Sequence, residues 1–209
     1  MNLDFERKFW KNNKNFVFGM DEVGRGPLAG PVVACAVCIS KDAKIKDEIL
    51  ETVKDSKKLT HKKREGVLEQ IKEVDGIWYA LAELNQNKID QINILNATMS
   101  CFRGAIGDLE KTIHSKADVL LIDGNKTIAD LEGYFQNAIV GGDNKVFSIA
   151  LASIVAKEYR DNLMIKYAQK YSNYGFEVHK GYGTKKHIEA IKKFGLCELH
   201  RKTFCKNFI

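Results

Sequence analysis

Proline is nearly missing from this chain. Only 2 prolines occur in 209 residues, Pro27 and Pro31. Their scarcity excludes proline-rich linkers and rigid extended spacers. No apolar run approaches the roughly 20 residues needed to span a bilayer. The start, Met1-Asn2-Leu3-Asp4-Phe5-Glu6-Arg7, lacks the apolar centre of a secretory signal. A cytoplasmic protein without membrane attachment is the expectation. Cysteine is sparse and odd in number, with 5 residues, which argues against a disulfide framework. Cys35 and Cys38 lie three apart in an apolar run and would face opposite sides of a strand, so they are poor zinc partners. Internal repeats and low-complexity segments are absent too. What is present is ordinary for a globular protein: 44% hydrophobic and 29% charged residues. The length suits one domain with a small appendage.

Charge is unevenly placed. The chain carries a net +6. Residues 157 to 209 hold 12 Lys and Arg against 5 Asp and Glu, a net +7, so the remainder is close to neutral. A second basic cluster runs from Lys54 to Arg64 and includes Lys57 and Lys58. Clustered cations neutralise phosphates and give nucleic acids a salt-sensitive, sequence-independent grip. A solvated lysine-rich surface gives the same pattern, so charge alone does not decide.

Apolar spacing outlines an α/β fold. Strands are expected at 16–20, 31–39, 76–84, 117–122 and 137–140. Helical periodicity covers 62–72, 93–113, 148–171 and 184–194. Ser148 is the expected N-cap of the long third helix. Thr184 starts the last helix and Gly195 stops it. Strands first and helices interleaved later predict a mixed sheet with flanking helices and a small C-terminal helical segment. The expected organisation is an extension over 1–15, a catalytic domain over 16–175, and a helical segment over 176–209 packed on it.

Three apolar runs end in carboxylates beside glycine. Asp21 and Glu22 follow the first strand and precede Gly24-Arg25-Gly26. Asp123 closes Val119-Leu120-Leu121-Ile122, and Asp143 follows Gly141-Gly142. Acids at the ends of neighbouring strands converge in one crevice. They repel unless a cation sits among them. Mg²⁺ or Mn²⁺ prefers such oxygen ligands, and a pair of these ions activates water against a phosphodiester. Adjacent strand residues face opposite sides, so Asp21 and Glu22 serve together only where the strand ends or bulges. The glycines after them predict such an ending.

These motifs together resemble ribonuclease HII, the bacterial type 2 ribonuclease H. The likeness rests on the segment from Gly19 to Gly30, then Asp55-Ser56-Lys57-Lys58-Leu59, Ile94-Leu95-Asn96-Ala97-Thr98-Met99 and Leu121-Ile122-Asp123-Gly124-Asn125. It continues through Gly142-Asp143, Ser148-Ile149-Ala150, Ser153-Ile154-Val155-Ala156-Lys157, Arg160-Asp161 and His179-Lys180-Gly181-Tyr182-Gly183-Thr184. Many members have proline where Gly183 stands. The motifs come in the family's order and span nearly the whole chain.

The resemblance implies a ribonuclease H-like fold. It implies hydrolysis of RNA in RNA/DNA hybrids and incision at ribonucleotides embedded in duplex DNA, leaving 5′-phosphate and 3′-hydroxyl ends. Asp21, Glu22, Asp123 and Asp143 are then the catalytic metal ligands. Gly24, Arg25, Gly26 and Tyr182 read the RNA–DNA junction, where only a 2′-hydroxyl separates the two sugars. Lys57, Lys58, Lys157 and Arg160 are expected on the phosphate backbone, which carries no base information. A monomer is expected, and a contact with a replication clamp is not legible in these residues. The 5 histidines are given no role, since a metal-activated water needs no histidine base. A binding module without catalysis and the sister type III enzyme are the competing readings. The intact acid set argues against the first. The short N-terminal stretch argues against the second.

Overall fold

Runs of β-branched and apolar residues form the strands. The computed structural model describes residues 1–54 and 59–208. Its strands are β1 (Val17–Val23), β2 (Val32–Ile39), β3 (Ile77–Leu84), β4 (Val119–Asp123) and β5 (Phe135–Ile139). They make one mixed sheet in the order β3-β2-β1-β4-β5. β1, β2 and β3 pair antiparallel, whereas β1–β4 and β4–β5 are parallel. β2 is buried at every position, as a strand covered on both faces must be.

Two long helices cover the faces. Phe18, Met20, Leu120 and Ile122 pack with Phe102, Ile106 and Leu109 of α4 (Gln86–Ile113). Val17, Val119 and Leu121 pack with Ile149 of α5 (Phe147–Lys170). Alternation along β1 therefore assigns odd residues to the α5 face and even residues to the α4 face. The shorter helices are α1 (Asp4–Trp10), α2 (Asp47–Lys54), α3 (His61–Lys72), α6 (Phe176–His179), α7 (Lys185–Phe194) and α8 (Lys202–Cys205). Thr184 caps α7 by accepting from His187 N, and Gly195 ends it, as the sequence predicts. No helix among the described residues is long and apolar enough to cross a membrane.

Three boundaries differ from expectation. β1 does not stop at Met20 but runs through Asp21 and Glu22 to Val23, because its pairing with β2 persists to Val23↔Val33. α4 starts at Gln86 and kinks at Asn93 (φ 65°, ψ 165°). The Asn93 side chain accepts from Asn96 N at 3.1 Å and restarts the helix, so the expected start at 93 is its second leg. Ser148 is not the N-cap of α5, since Val146 holds that position. The acceptor at that helix end is remote: Ser148 N donates to Glu6 Oε1 on α1 at 2.8 Å.

That bond gives the N-terminal extension a structural task. Leu3 and Glu6 are buried, and Phe5, Phe9 and Trp10 pack against the α5 face of the sheet. A carboxylate at a helix N-terminus satisfies free N–H groups and complements the dipole. Burial pushes the Glu6 carboxyl up, and the Ser148 N–H opposes that.

The seating of α5 on β1 depends on Gly19. A Cβ there would stand 2.5 Å from Ile149 N, closer than real contacts allow. Gly19→Ala is therefore expected to cost about 2 kcal/mol by overpacking. For a chain of this size the melting temperature falls by roughly 4–8 °C. Thermal denaturation followed by circular dichroism checks this, and an unchanged midpoint would show slack in the α5–β1 contact.

Candidate active site

The four acids gather around the C-terminal ends of β1 and β4. Parallel register pairs Met20 with Ile122, so Asp21 and Asp123 occupy the next rung of neighbouring strands. Asp123 Oδ1 accepts from Gly142 N at 2.6 Å and Asp143 N at 3.4 Å. The 3₁₀ turn Gly142–Asn144 is thus tied to the strand end, and Asp143 arrives with it. Asp143 is buried and accepts from Asn144 Nδ2 at 2.8 Å. Asp21 is buried, accepts from Glu22 N at 2.7 Å, and is bonded by the Ser153 side chain on α5.

The electrostatics record the crowding. Burial pushes the Asp21 carboxyl well above the ordinary range, and the charges of Glu22 and Asp123 push it further. Glu22 is also raised, first by burial and then by Asp123, against the pull of Arg25. A divalent cation would relieve that field, and an all-oxygen donor set suits Mg²⁺ or Mn²⁺. The donor chemistry therefore fits the implied ions.

Because β1 continues, Asp21 lies on the α5 face and Glu22 on the α4 face. The two acids lie on opposite faces at the end of the central strand instead of sharing one side. Among the described residues, the trio whose ligand atoms all fall within 4.8 Å is His61, Glu65 and Glu158, and not three of the four acids. Two ions roughly 4 Å apart need a spread of ligands wider than one ion's shell. The His61 trio has another explanation: Glu158 takes an ion pair from Arg64 at 2.9 Å and a bond from Asn162 at 3.0 Å.

Beside Glu22 the chain turns through Gly24-Arg25-Gly26 to Gly30, and two buried arginines hold this loop from beneath. Arg160 on α5 donates to Pro31 O at 2.9 Å, Lys180 O at 2.9 Å and Ala29 O at 3.1 Å. Arg201 donates to Gly24 O at 2.6 Å, Arg25 O at 3.0 Å, Gly30 O at 2.9 Å and Pro31 O at 3.2 Å. Both side chains are 0% exposed. Gly24 has φ +91°, and a Cβ on it would meet the Arg160 side chain and Pro31 O. Burial pulls the Arg201 guanidinium down to about 9, with the charge of Arg160 adding to the effect. It stays cationic at neutral pH.

The cleft above the loop is lined by Glu22, Arg25, Thr98, Phe102, Asp123 and Lys126, among others. Arg25 reaches Glu22 Oε1 at 3.1 Å with its side chain half exposed. Gly26 faces Tyr182, since a Cβ on Gly26 would lie 3.9 Å from the Tyr182 ring. The Tyr182 ring itself is open to solvent, 41% exposed. Residues 156 positions apart in the chain thus meet at one mouth.

The four expected phosphate contacts fare differently. Arg160 is corrected outright: it is buried under the loop and its donors face backbone carbonyls. Lys157 is partly exposed, and its Nζ lies 2.5 Å from Asp161 Oδ1. Asp161 also pairs with Arg64 at 2.9 Å. Lys57 and Lys58 lie outside the described residues. Arg201 is the residue that sequence reasoning missed. It stands in Leu199-His200-Arg201-Lys202, where nothing separates it from surface cations.

Comparison with known proteins gives the family and the fold. The family model for Ribonuclease HII matches residues 18–207. A Ribonuclease HII from Caldicellulosiruptor bescii is 46% identical over 207 residues, covering 99% of this chain and 95% of the relative. One from Endomicrobium trichonymphae is 50% identical over 204 residues, covering 97% and 91%. The crystal structure of ribonuclease H2 from Pyrococcus horikoshii aligns with a TM-score of 0.70 at 26% identity, covering 92% of this chain and 96% of that one.

The arginine clamp yields a direct test. Arg201→Met removes the side-chain donors of the Gly24, Arg25 and Gly30 carbonyls, while Pro31 O keeps its bond from Arg160. A loss of roughly 3 kcal/mol or more is expected. Arg201→Lys should recover little of it, because a point charge cannot serve several carbonyls as a planar fork does. Chemical denaturation of the three proteins measures this, and a fully stable lysine variant would reject the clamp.

Proposed function

We propose that this chain, which belongs to the ribonuclease HII family, incises duplex DNA at single embedded ribonucleotides as well as cutting RNA in RNA/DNA hybrids. Membership makes it a nuclease of the ribonuclease H type, a divalent-metal-dependent hydrolase. The finer reading rests on one observation: Glu22 and Asp123 line a cleft together with Arg25 of the glycine loop, whose next residue, Gly26, lies beside the open Tyr182 ring.

Asp21, Glu22, Asp123 and Asp143 would hold two ions, Mg²⁺ or Mn²⁺, near the C-terminal ends of β1 and β4. When bound, such a pair activates water and stabilises the leaving 3′ oxygen, giving 5′-phosphate and 3′-hydroxyl ends. Asp123 keeps the turn bearing Asp143 in place while it serves. Gly26 lets backbone approach the 2′-hydroxyl where a Cβ would obstruct, and Gly24 supplies the turn whose Cβ position faces Arg160. Arg25, half exposed beside Glu22, presents its fork to the adjoining phosphate. Tyr182 packs its ring on the neighbouring deoxyribose, and an added hydroxyl there would be disfavoured. The basic C-terminal third supplies sequence-independent attraction. The protein acts as a cytoplasmic monomer in this reading.

Incubation with Mg²⁺ and a DNA duplex bearing one ribonucleotide should give a single incision. Asp123→Asn keeps an oxygen for Gly142 N and Asp143 N, so the fold survives. Its rate should nevertheless fall by roughly two orders of magnitude or more. An active Asp123→Asn enzyme would remove the carboxylates from the chemistry.

Tyr182→Ala should weaken use of the single-ribonucleotide duplex by about tenfold or more, the scale of one lost aromatic stack. Mn²⁺ binding measured by calorimetry should stay unchanged. Equal losses in both would show that Tyr182 supports the metal site and not the sugar.

A further inference from the structure

Beneath Tyr182 lies a group of three histidines that the carboxylate chemistry does not use. His187 Nδ1 is 2.9 Å from the Tyr182 carbonyl oxygen, and its Nε2 is 3.1 Å from His200 Nε2. His200 Nδ1 is 2.9 Å from Cys197 N. His179 stacks on His187 at 4.4 Å. Its Nε2 lies 2.6 Å from Tyr174 O, and its Nδ1 accepts from Gly181 N at 3.2 Å. Phe176 closes against all three rings, and Tyr174 against His200. Tyr182 N also donates to His179 O at 2.9 Å.

These partners dictate where each hydrogen sits. A carbonyl oxygen only accepts, so His187 Nδ1 carries a hydrogen. In the neutral ring its Nε2 is then bare and must accept. The hydrogen between the two rings therefore belongs to His200 Nε2. That leaves His200 Nδ1 bare, facing the Cys197 N–H. His179 follows the same logic, with Nε2–H donating to Tyr174 O. Cys197 O also lies 3.3 Å from His200 Nδ1, but the Cys197 N–H at 2.9 Å is the nearer partner, and the whole set is satisfied with all three rings neutral. A proton added at His187 would set two N–H groups against each other.

We propose that His187 and His200 are positioning residues for ribonucleotide recognition, forming a neutral relay from Cys197 N–H to the Tyr182 carbonyl that holds the Tyr182 ring at the cleft. This rests on the reading of Tyr182 as the sugar-packing ring. The charged neighbours are few. Glu177 and Lys180 flank His179 with opposing effects. The Cys197 thiol lies 3.2 Å from His200 Nδ1, and burial pushes it up, so it stays neutral. Arg160 stands on the far side, 6.0 Å from the Tyr182 ring centre. Burial pulls all three histidines down, His187 to about 4. With folded values below the unfolded one, the relay's stability is present above about pH 6.5. It is lost as pH falls from there through about 4.

Two measurements test the relay. Long-range ¹H–¹⁵N spectra of the unmodified protein at neutral pH should show His187 as the Nδ1–H tautomer and His200 as the Nε2–H tautomer. A charged ring or the opposite pair overturns the relay without any variant having to fold. Kinetics on the single-ribonucleotide duplex come second. His187→Phe should raise KM about tenfold, the scale of one lost hydrogen bond, with kcat nearly unchanged. His187→Asn, whose amide can still donate to Tyr182 O, should restore most of it. In a Tyr182→Ala background, His187→Phe should add little. Additive losses, or an asparagine variant no better than phenylalanine, reject the relay. A Tyr182→Ala defect with a normal His187→Phe enzyme rejects the relay alone. A normal KM in Tyr182→Ala rejects the reading of Tyr182, and the relay with it.

Discussion

Two buried guanidinium groups hold up the functional loop. Arg160 and Arg201 lie under residues 24–31 and answer its carbonyl oxygens one by one. A buried cation is costly unless its donors are met, and inward-facing carbonyls are costly unless something donates to them. Here each demand cancels the other with no carboxylate among the described residues in direct contact. The arrangement fixes the loop's backbone, while Leu28 and Ala29 anchor it by burial. It also explains why Gly24 has no room for a side chain, since the Arg160 guanidinium fills that space.

The end of the central strand sets the second constraint. β1 carries two acids in succession, and the pleat sends them to opposite faces. Helix α5 closes on one side through Ser153 and Asp21, and the α4 cleft opens on the other beside Glu22. Burial and mutual repulsion raise the proton affinity of both acids. That same cost makes the cluster receptive to divalent charge. A chain with a net +6 thus concentrates negative potential at one strand end while its surface attracts a polyanion.

Much of this was legible in the residues. Apolar runs located all five strands, and turn chemistry at Thr184 and Gly195 bounded α7. The acids at strand ends were visible because each follows an apolar run. What escaped was whatever depends on distant partners. β1 outlasts its apolar run because β2 continues to pair with it, which no local pattern reveals. Ser148 looks like a cap, but Glu6, far away in sequence, supplies the acceptor. Arg160 looks like a phosphate ligand because local sequence cannot tell a buried arginine from an exposed one. Arg201 and the histidines under Tyr182 gave no signal for the same reason.

The bonds of Arg201 reach back across most of the chain, with separations of 170 to 177 residues. All five strands and both long helices precede it. A ribosome could therefore release the entire sheet, with all four acids, before the loop beside them acquired its support. Assembly of the scaffold and arming of the cleft are separate events in time. A polypeptide cut short near residue 195 would keep its acidic cluster but lack the brace for its reading loop. The last residues to emerge thus act as a completeness check on the first motif made.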